Sequence, residues 1–277
     1  MAAGGAPPGP GAAGRGPRPG PPPLTVGTCW YDVRVNHIDD ARRLLEAVGI
    51  HDPHLRDVGG VPAFHAEPAQ LLPLWRRLRE LAPAVGRWPV ILGPRPDGLR
   101  LIGDDERDDA IAAGLGMDVA ARLGELREEL LAWEEGDDED EIEYPPRGPA
   151  DGLAPHDEDG FVLAAEPGWM GLVPAAAGHL VPAVLGLWAG GNYAMEPADH
   201  VAVLRHWRDR YGAELVAVSD DIIELRVLRP PADPATVLAV AEEQYWYCQD
   251  IVDQGVETID ALAAVQVPAR RWFFWWD

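Results

Sequence analysis

The chain closes on RRWFFWWD, and its five consecutive aromatic residues, Trp272 to Trp276, restrict the fold more than any other stretch. Side chains alternate along a strand, so Trp272, Phe274 and Trp276 share one face while Phe273 and Trp275 share the other. Both faces are then large and apolar, the pattern of a strand covered on both sides. We therefore expect residues 271–276 to be an interior strand of a C-terminal sheet, held between two layers. The strand expected at 222–228 adds that Ile223, Leu225 and Val227 lie on one face and Glu224 and Arg226 on the other. One sheet face is thus apolar, and the second mixes aromatic rings with a Glu/Arg pair.

A chain of 277 residues, 47% hydrophobic and with eleven tryptophans, has ample material for a packed core. The opening MAAGGAPPGPGAAGRGPRPGPPP has no apolar h-region and reads as a disordered tail over residues 1–23, not a signal peptide. Net charge is −23, and all 23 basic residues are arginine. Thirteen acids and a single arginine fall in residues 134–166, so half of the excess belongs to an expected acidic linker. Residues 1–133, 134–166 and 168–277 are each net acidic, which argues against nucleic acid as a partner, because such binding neutralises phosphates with cations. Residues 167–195 carry no Asp, Glu, Lys or Arg, but prolines, six glycines and His179 interrupt them too often for a membrane span. Cys29 and Cys248 form no disulfide framework and no metal spacing, which fits a cytoplasmic location.

The pattern predicts a strand at 28–35 and a helix near 38–48 with Ile38, Ala41, Leu45 and Val48 on its stripe. Pro68 opens a second helix with Leu71, Leu74, Leu78 and Leu81. Residues 87–93 and 99–103 flank turn residues and read as a hairpin. A further helix spans 117–133, with Val119, Leu123, Leu126, Leu130 and Trp133 at steps of three and four. Beyond the linker we expect a strand at 170–175 and a helix from Pro197, with Val201, Leu204, Trp207 and Tyr211 on one face, closed by Gly212. Strands follow at 213–219 and 222–228, then a helix capped by Asp233-Pro234. A short helix near 258–265 precedes the terminal strand. The order βαββα(α)β predicts an α+β protein: a ferredoxin-like sandwich over 167–277, packed against an N-terminal half over 24–133.

The blocks LWRRLRELAPAVGRWPVILG, MGLVPA, VLRHWRDRYGAELVAV, AEEQYWYCQDIVDQG and WFFWWD resemble a bacterial family known as domain of unknown function 4253. The downstream blocks cover about residues 170–277, and the first extends the likeness to about residue 70. This resemblance implies no activity, catalytic residue or cofactor.

The candidate binding residues follow from the second sheet face and from the stretch YWYCQDIVDQG. They are Glu224, Arg226, Tyr245, Asp250, Asp253, Trp272, Trp275 and Trp276. Cys248 falls on a core stripe with no histidine after His206 in the sequence, so it reads as a small hydrophobe rather than a nucleophile. His51, His54 and His65 have no ligand-spaced partners, and no common cofactor or nucleotide motif occurs, so no metal and no cofactor are expected. The function expected from these features is a non-enzymatic protein-binding module favouring a basic partner, of the immunity or antitoxin kind. The alternative is a small-ligand-binding protein, or an enzyme, with its pocket between the two halves.

Overall fold

The computed structural model describes residue 1 and residues 37–51, 53–134, 145–150, 152–188 and 195–277. The tail, the strand expected at 28–35 and most of the acidic run at 134–144 lie outside the described residues. Residues 36–277 form one compact unit.

Its centre is a seven-stranded sheet: β1 (Arg56–Val58), β2 (Val61–Ala66), β3 (Trp88–Gly93), β4 (Gly168–Val173), β5 (Ala213–Val218), β6 (Ile222–Val227) and β7 (Arg271–Trp275). The strand order is β1-β2-β4-β3-β5-β6-β7. Every neighbouring pair is antiparallel except β3 and β5, which run parallel. The protein is thus α+β, but the strand order is not that of a ferredoxin-like C-terminal domain. Strand β3, from the N-terminal half, lies between β4 and β5, so both expected halves share one sheet. This also explains why residues 99–103 form no hairpin with β3: both edges of β3 are already occupied. Residues 99–102 run instead against the β1–β2 turn and residue 184, with Leu101 N–H donating to Gly59 O and Ile102 N–H to Val184 O.

Among the described residues, eight α-helices pack around the sheet: α1 (His37–Ala47), α2 (Pro68–Val85), α3 (Asp104–Gly116), α4 (Val119–Glu134), α5 (Val181–Leu185), α6 (Pro197–Tyr211), α7 (Pro234–Tyr247) and α8 (Ile259–Val265). Their ends obey local chemistry. Pro68, Pro197 and Pro234 occupy first turns, where a missing N–H costs nothing. Asp233 accepts from Thr236 N–H, and Thr258 from Ala261 N–H. Gly212 ends α6 at φ 66°, a left-handed conformation that glycine reaches without strain. On α2 the buried stripe is Leu71, Trp75, Leu78 and Ala82; Leu74 and Leu81 are only half-buried, because the sheet draws the large indole inward.

Helices α6 and α7 cover the apolar sheet face. Trp207 of α6 is fully buried, stacked on Phe274 with ring centroids 5.2 Å apart and edge-on to Trp272 and Tyr247 at 5.5 and 5.1 Å. Such pairs add roughly 0.5–1.5 kcal/mol each beyond burial. Outside this layer, α3 and α4 pack on α6 and α7. Gly114 permits that approach, since a Cβ there would meet Ala198 O at 2.5 Å. Helix α2 covers the second face, where Trp75 donates its indole N–H to Pro89 O.

Strand β7 is not an interior strand, as the aromatic run led us to expect; it is the last strand of the sheet. An edge presents unpaired backbone groups and has to be blunted. Here Gln266 Oε1 accepts from Phe273 N–H, the Cys248 thiol donates to Trp275 O, and Asp250 Oδ2 accepts from Asp277 N–H. Aromatic faces report what lies above and below a strand, not what lies beside it. The rings are nonetheless enclosed: Trp272, Phe274 and Trp276 are buried, and Phe273 and Trp275 are half-buried.

Trp207→Ala is expected to cost about 3–5 kcal/mol, with a lower urea midpoint and an unchanged m-value. A loss below about 1 kcal/mol would mean that the ring cluster contributes little packing energy.

Candidate functional site

The eight residues nominated from sequence separate into three places. Tyr245, Trp272 and Trp276 are buried in the core around α6 and α7. Asp250, Asp253 and Trp275 lie about the turn that follows α7 and the outer edge of β7. Asp250 accepts from Gln254 and Asp277, and Asp253 accepts from the Tyr245 hydroxyl at 3.4 Å. Glu224 and Arg226 stand on the second sheet face, which Trp275 shares by alternation, in register with Phe273 and Arg271 of β7.

Glu224 is completely buried. Its carboxylate accepts from Val162 N–H at 2.8 Å, Leu163 N–H at 3.0 Å and Arg271 Nη1 at 3.2 Å. Burial pushes its pKa above the ordinary glutamate value, and the two backbone donors and Arg271 only partly oppose that. Arg271 also donates to Asp157 O. Residues 145–150 and 152–166, read from sequence as part of a solvated linker, are therefore tied down. Phe161, Leu163 and Ala164 are buried, Ile259 N–H donates to Pro146 O, and Arg147 grips Asp260 through two bonds of 2.9 and 2.7 Å. Acid content concealed Phe161, Leu163 and Ala164, the apolar residues that do the packing.

Anchoring this segment creates a small cleft of about 70 Å³, partly open to solvent, between α2, residues 158–161 and strands β5 and β6. Its apolar lining is Leu72, Trp75, Phe161 and Val216, and its charged lining is Arg76, Arg226, Arg270, Glu158 and Asp159. Arg76 pairs with Asp159 at 2.6 Å and Arg270 with Glu158 at 3.3 Å. Of the nominated residues only Arg226 reaches this cleft. Trp75 was detectable as a helical neighbour of Leu71 and Leu78; Glu158, Asp159 and Phe161 were hidden by their assignment to the linker.

Two other buried polar groups bear on chemistry. Cys248 is buried, its thiol donates to Trp275 O, and burial pushes its pKa well up, so it stays a thiol. His200 is fully buried with Nδ1 2.7 Å from the Tyr247 hydroxyl, and desolvation lowers its pKa to about 4. It is therefore neutral near pH 7. Among the described residues, its Nε2 and the Trp276 indole nitrogen have no hydrogen-bond partner.

Residues 169–277 match the model of a family described as "Domain of unknown function (DUF4253)". The C-terminal part of the chain, from β4 to β7, is thus the part that this family describes, in agreement with the downstream blocks quoted above; the block at residues 74–93 lies outside the match. No curated protein and no solved structure matches the chain. No helix among the described residues is long and apolar enough to cross a membrane.

Glu224 makes a signed prediction. Its folded-state pKa is raised, so the native chain binds this proton more tightly than the unfolded one. Stability owed to Glu224 is then fully present below about pH 4.5 and falls as pH rises through the native pKa. The stability of wild type minus that of Glu224→Gln should decline with pH across this window in urea titrations. A difference that grows with pH would contradict the assignment.

Proposed function

We propose that the protein binds a small molecule without transforming it, in the cleft between α2, residues 158–161 and the β5–β6 strands. One observation carries this reading: the cleft presents the guanidinium of Arg226 beside the half-buried Leu72, with Trp75, Phe161 and Val216 almost fully buried behind them. A concave surface with a convergent charged group is a place where a small ligand can be held, here by contact with charge more than by apolar burial. Binding is favoured over catalysis because the groups able to do chemistry are engaged elsewhere. Cys248 is a buried thiol bonded to a carbonyl, His200 is a neutral core residue, and Glu224 is held by three donors.

A protein-binding module of the immunity or antitoxin type is the second reading. It draws on the net charge of −23 and on Trp188, which leaves 57% of its surface exposed. It draws less on the C-terminal aromatics, since Trp272 and Trp276 are enclosed. A reducing cytoplasmic setting belongs to the proposal with either reading.

The test is a fragment screen by crystal soaking, repeated with Leu72→Trp, which fills the cleft from α2. Hits in the cleft that Leu72→Trp abolishes, at an unchanged circular dichroism spectrum, are expected. Hits confined to other surfaces, as the protein-binding reading anticipates, would contradict a ligand cleft.

A further inference from the structure

The charges on the second sheet face and around the cleft are arranged in pairs, with one left over. Four carboxylates each hold an arginine: Asp159 with Arg76, Glu158 with Arg270, Glu224 with Arg271, and Glu214 with Arg79. Arg226 is the fifth guanidinium, and among the described residues it has no carboxylate within ion-pair distance. Glu214 stands opposite it across β5 and β6, but its carboxylate is bonded to Arg79. The surplus cation therefore falls on the one nominated residue that lines the cleft.

The location is informative because the chain as a whole carries −23. Long-range forces repel anions from such a molecule, so an anion is held here only by contact. A guanidinium supplies contact of this kind, presenting a planar fork that matches a carboxylate bidentately. A phosphate dianion calls for more than one free cation, and the neighbouring Arg76 and Arg270 are already neutralised. Trp75, Phe161 and Val216 are themselves almost fully buried, so the cleft offers a ligand body little beyond the half-buried Leu72, and the contact with Arg226 carries the binding.

We propose that the cleft takes a small organic monocarboxylate, its carboxylate forked by Arg226 and its body beside Leu72 at the mouth of the cleft. This rests on the ligand-binding reading above and narrows it to a chemical class.

The experiment is saturation-transfer and titration NMR on the full-length protein with phenylacetate, phenylacetamide and phenyl phosphate as probes, using wild type, Arg226→Gln and Arg226→Lys. Phenylacetate is expected to bind wild type, and Arg226→Gln to weaken it roughly 10- to 100-fold, the worth of one charge-assisted bond. Arg226→Lys, which keeps the charge but not the fork, should fall between the two. Phenylacetamide should bind wild type about as weakly as phenylacetate binds Arg226→Gln. Should the glutamine variant not fold, the lysine variant and the acid-to-amide comparison decide the matter. Equal binding of acid and amide, unaltered by Arg226 substitution, would overturn the charge inference and leave the ligand cleft standing. Tighter binding of phenyl phosphate than of phenylacetate would overturn the monocarboxylate class. If none of the probes binds while uncharged fragments occupy the cleft in crystals, the inference fails alone; if nothing enters the cleft, the ligand-binding reading fails with it.

Discussion

A carboxylate placed on the face of a central sheet has to find donors, because leaving it dry and unpaired costs several kcal/mol. Glu224 solves this with two consecutive backbone amides, Val162 and Leu163, and the guanidinium of Arg271. Those three bonds join parts of the chain far apart in sequence: the segment before β4, the middle of β6 and the start of β7. The segment so held becomes one wall of the cleft, and Arg271 is thereby committed. With Arg79 committed to Glu214 in the same way, Arg226 is the guanidinium without a carboxylate among the described residues of this face.

The other sheet face is organised by size rather than charge. Trp207 meets Trp272, Phe274 and Tyr247 within one buried cluster, so α6, α7 and β7 are locked by shape. This packing allows a strand rich in tryptophan to sit at the sheet margin without becoming a sticky edge. The outward backbone groups of Phe273, Trp275 and Asp277 are met by Gln266, Cys248 and Asp250. Asp250 and Cys248, which look like chemistry in the sequence, are occupied in closing that margin.

Much of this was legible in the residues. Proline, aspartate and glycine marked the ends of α2, α6 and α7, and alternation placed Glu224 and Arg226 opposite Ile223 and Leu225. The strand order was not legible. Parallel pairing of β3 with β5 depends on tertiary contacts between residues more than a hundred positions apart, which no local period records. The β1–β2 hairpin carried a readable signal in Gly59-Gly60, two residues at positive φ that our segmentation passed over. Helix α3 begins with Asp104, Asp105 and Glu106, and those acids favour a helix N-terminus, yet their density resembles a solvated run. The cleft was the hardest to foresee, because Trp75, Phe161 and Arg226 come from three separate stretches. The acidic context of Glu158 and Asp159 pointed to solvent rather than to a wall.

The account stands on Glu224 holding residues 157–164 to the sheet. Native-state amide hydrogen exchange at Val162 and Leu163 tests this most directly. In the wild-type protein both amides should be protected nearly as well as those of β6, and Glu224→Ala should release these two while β5 and β6 keep their protection. Rapid exchange of Val162 and Leu163 in the wild type, or protection that survives Glu224→Ala, would contradict the latch and the cleft built upon it.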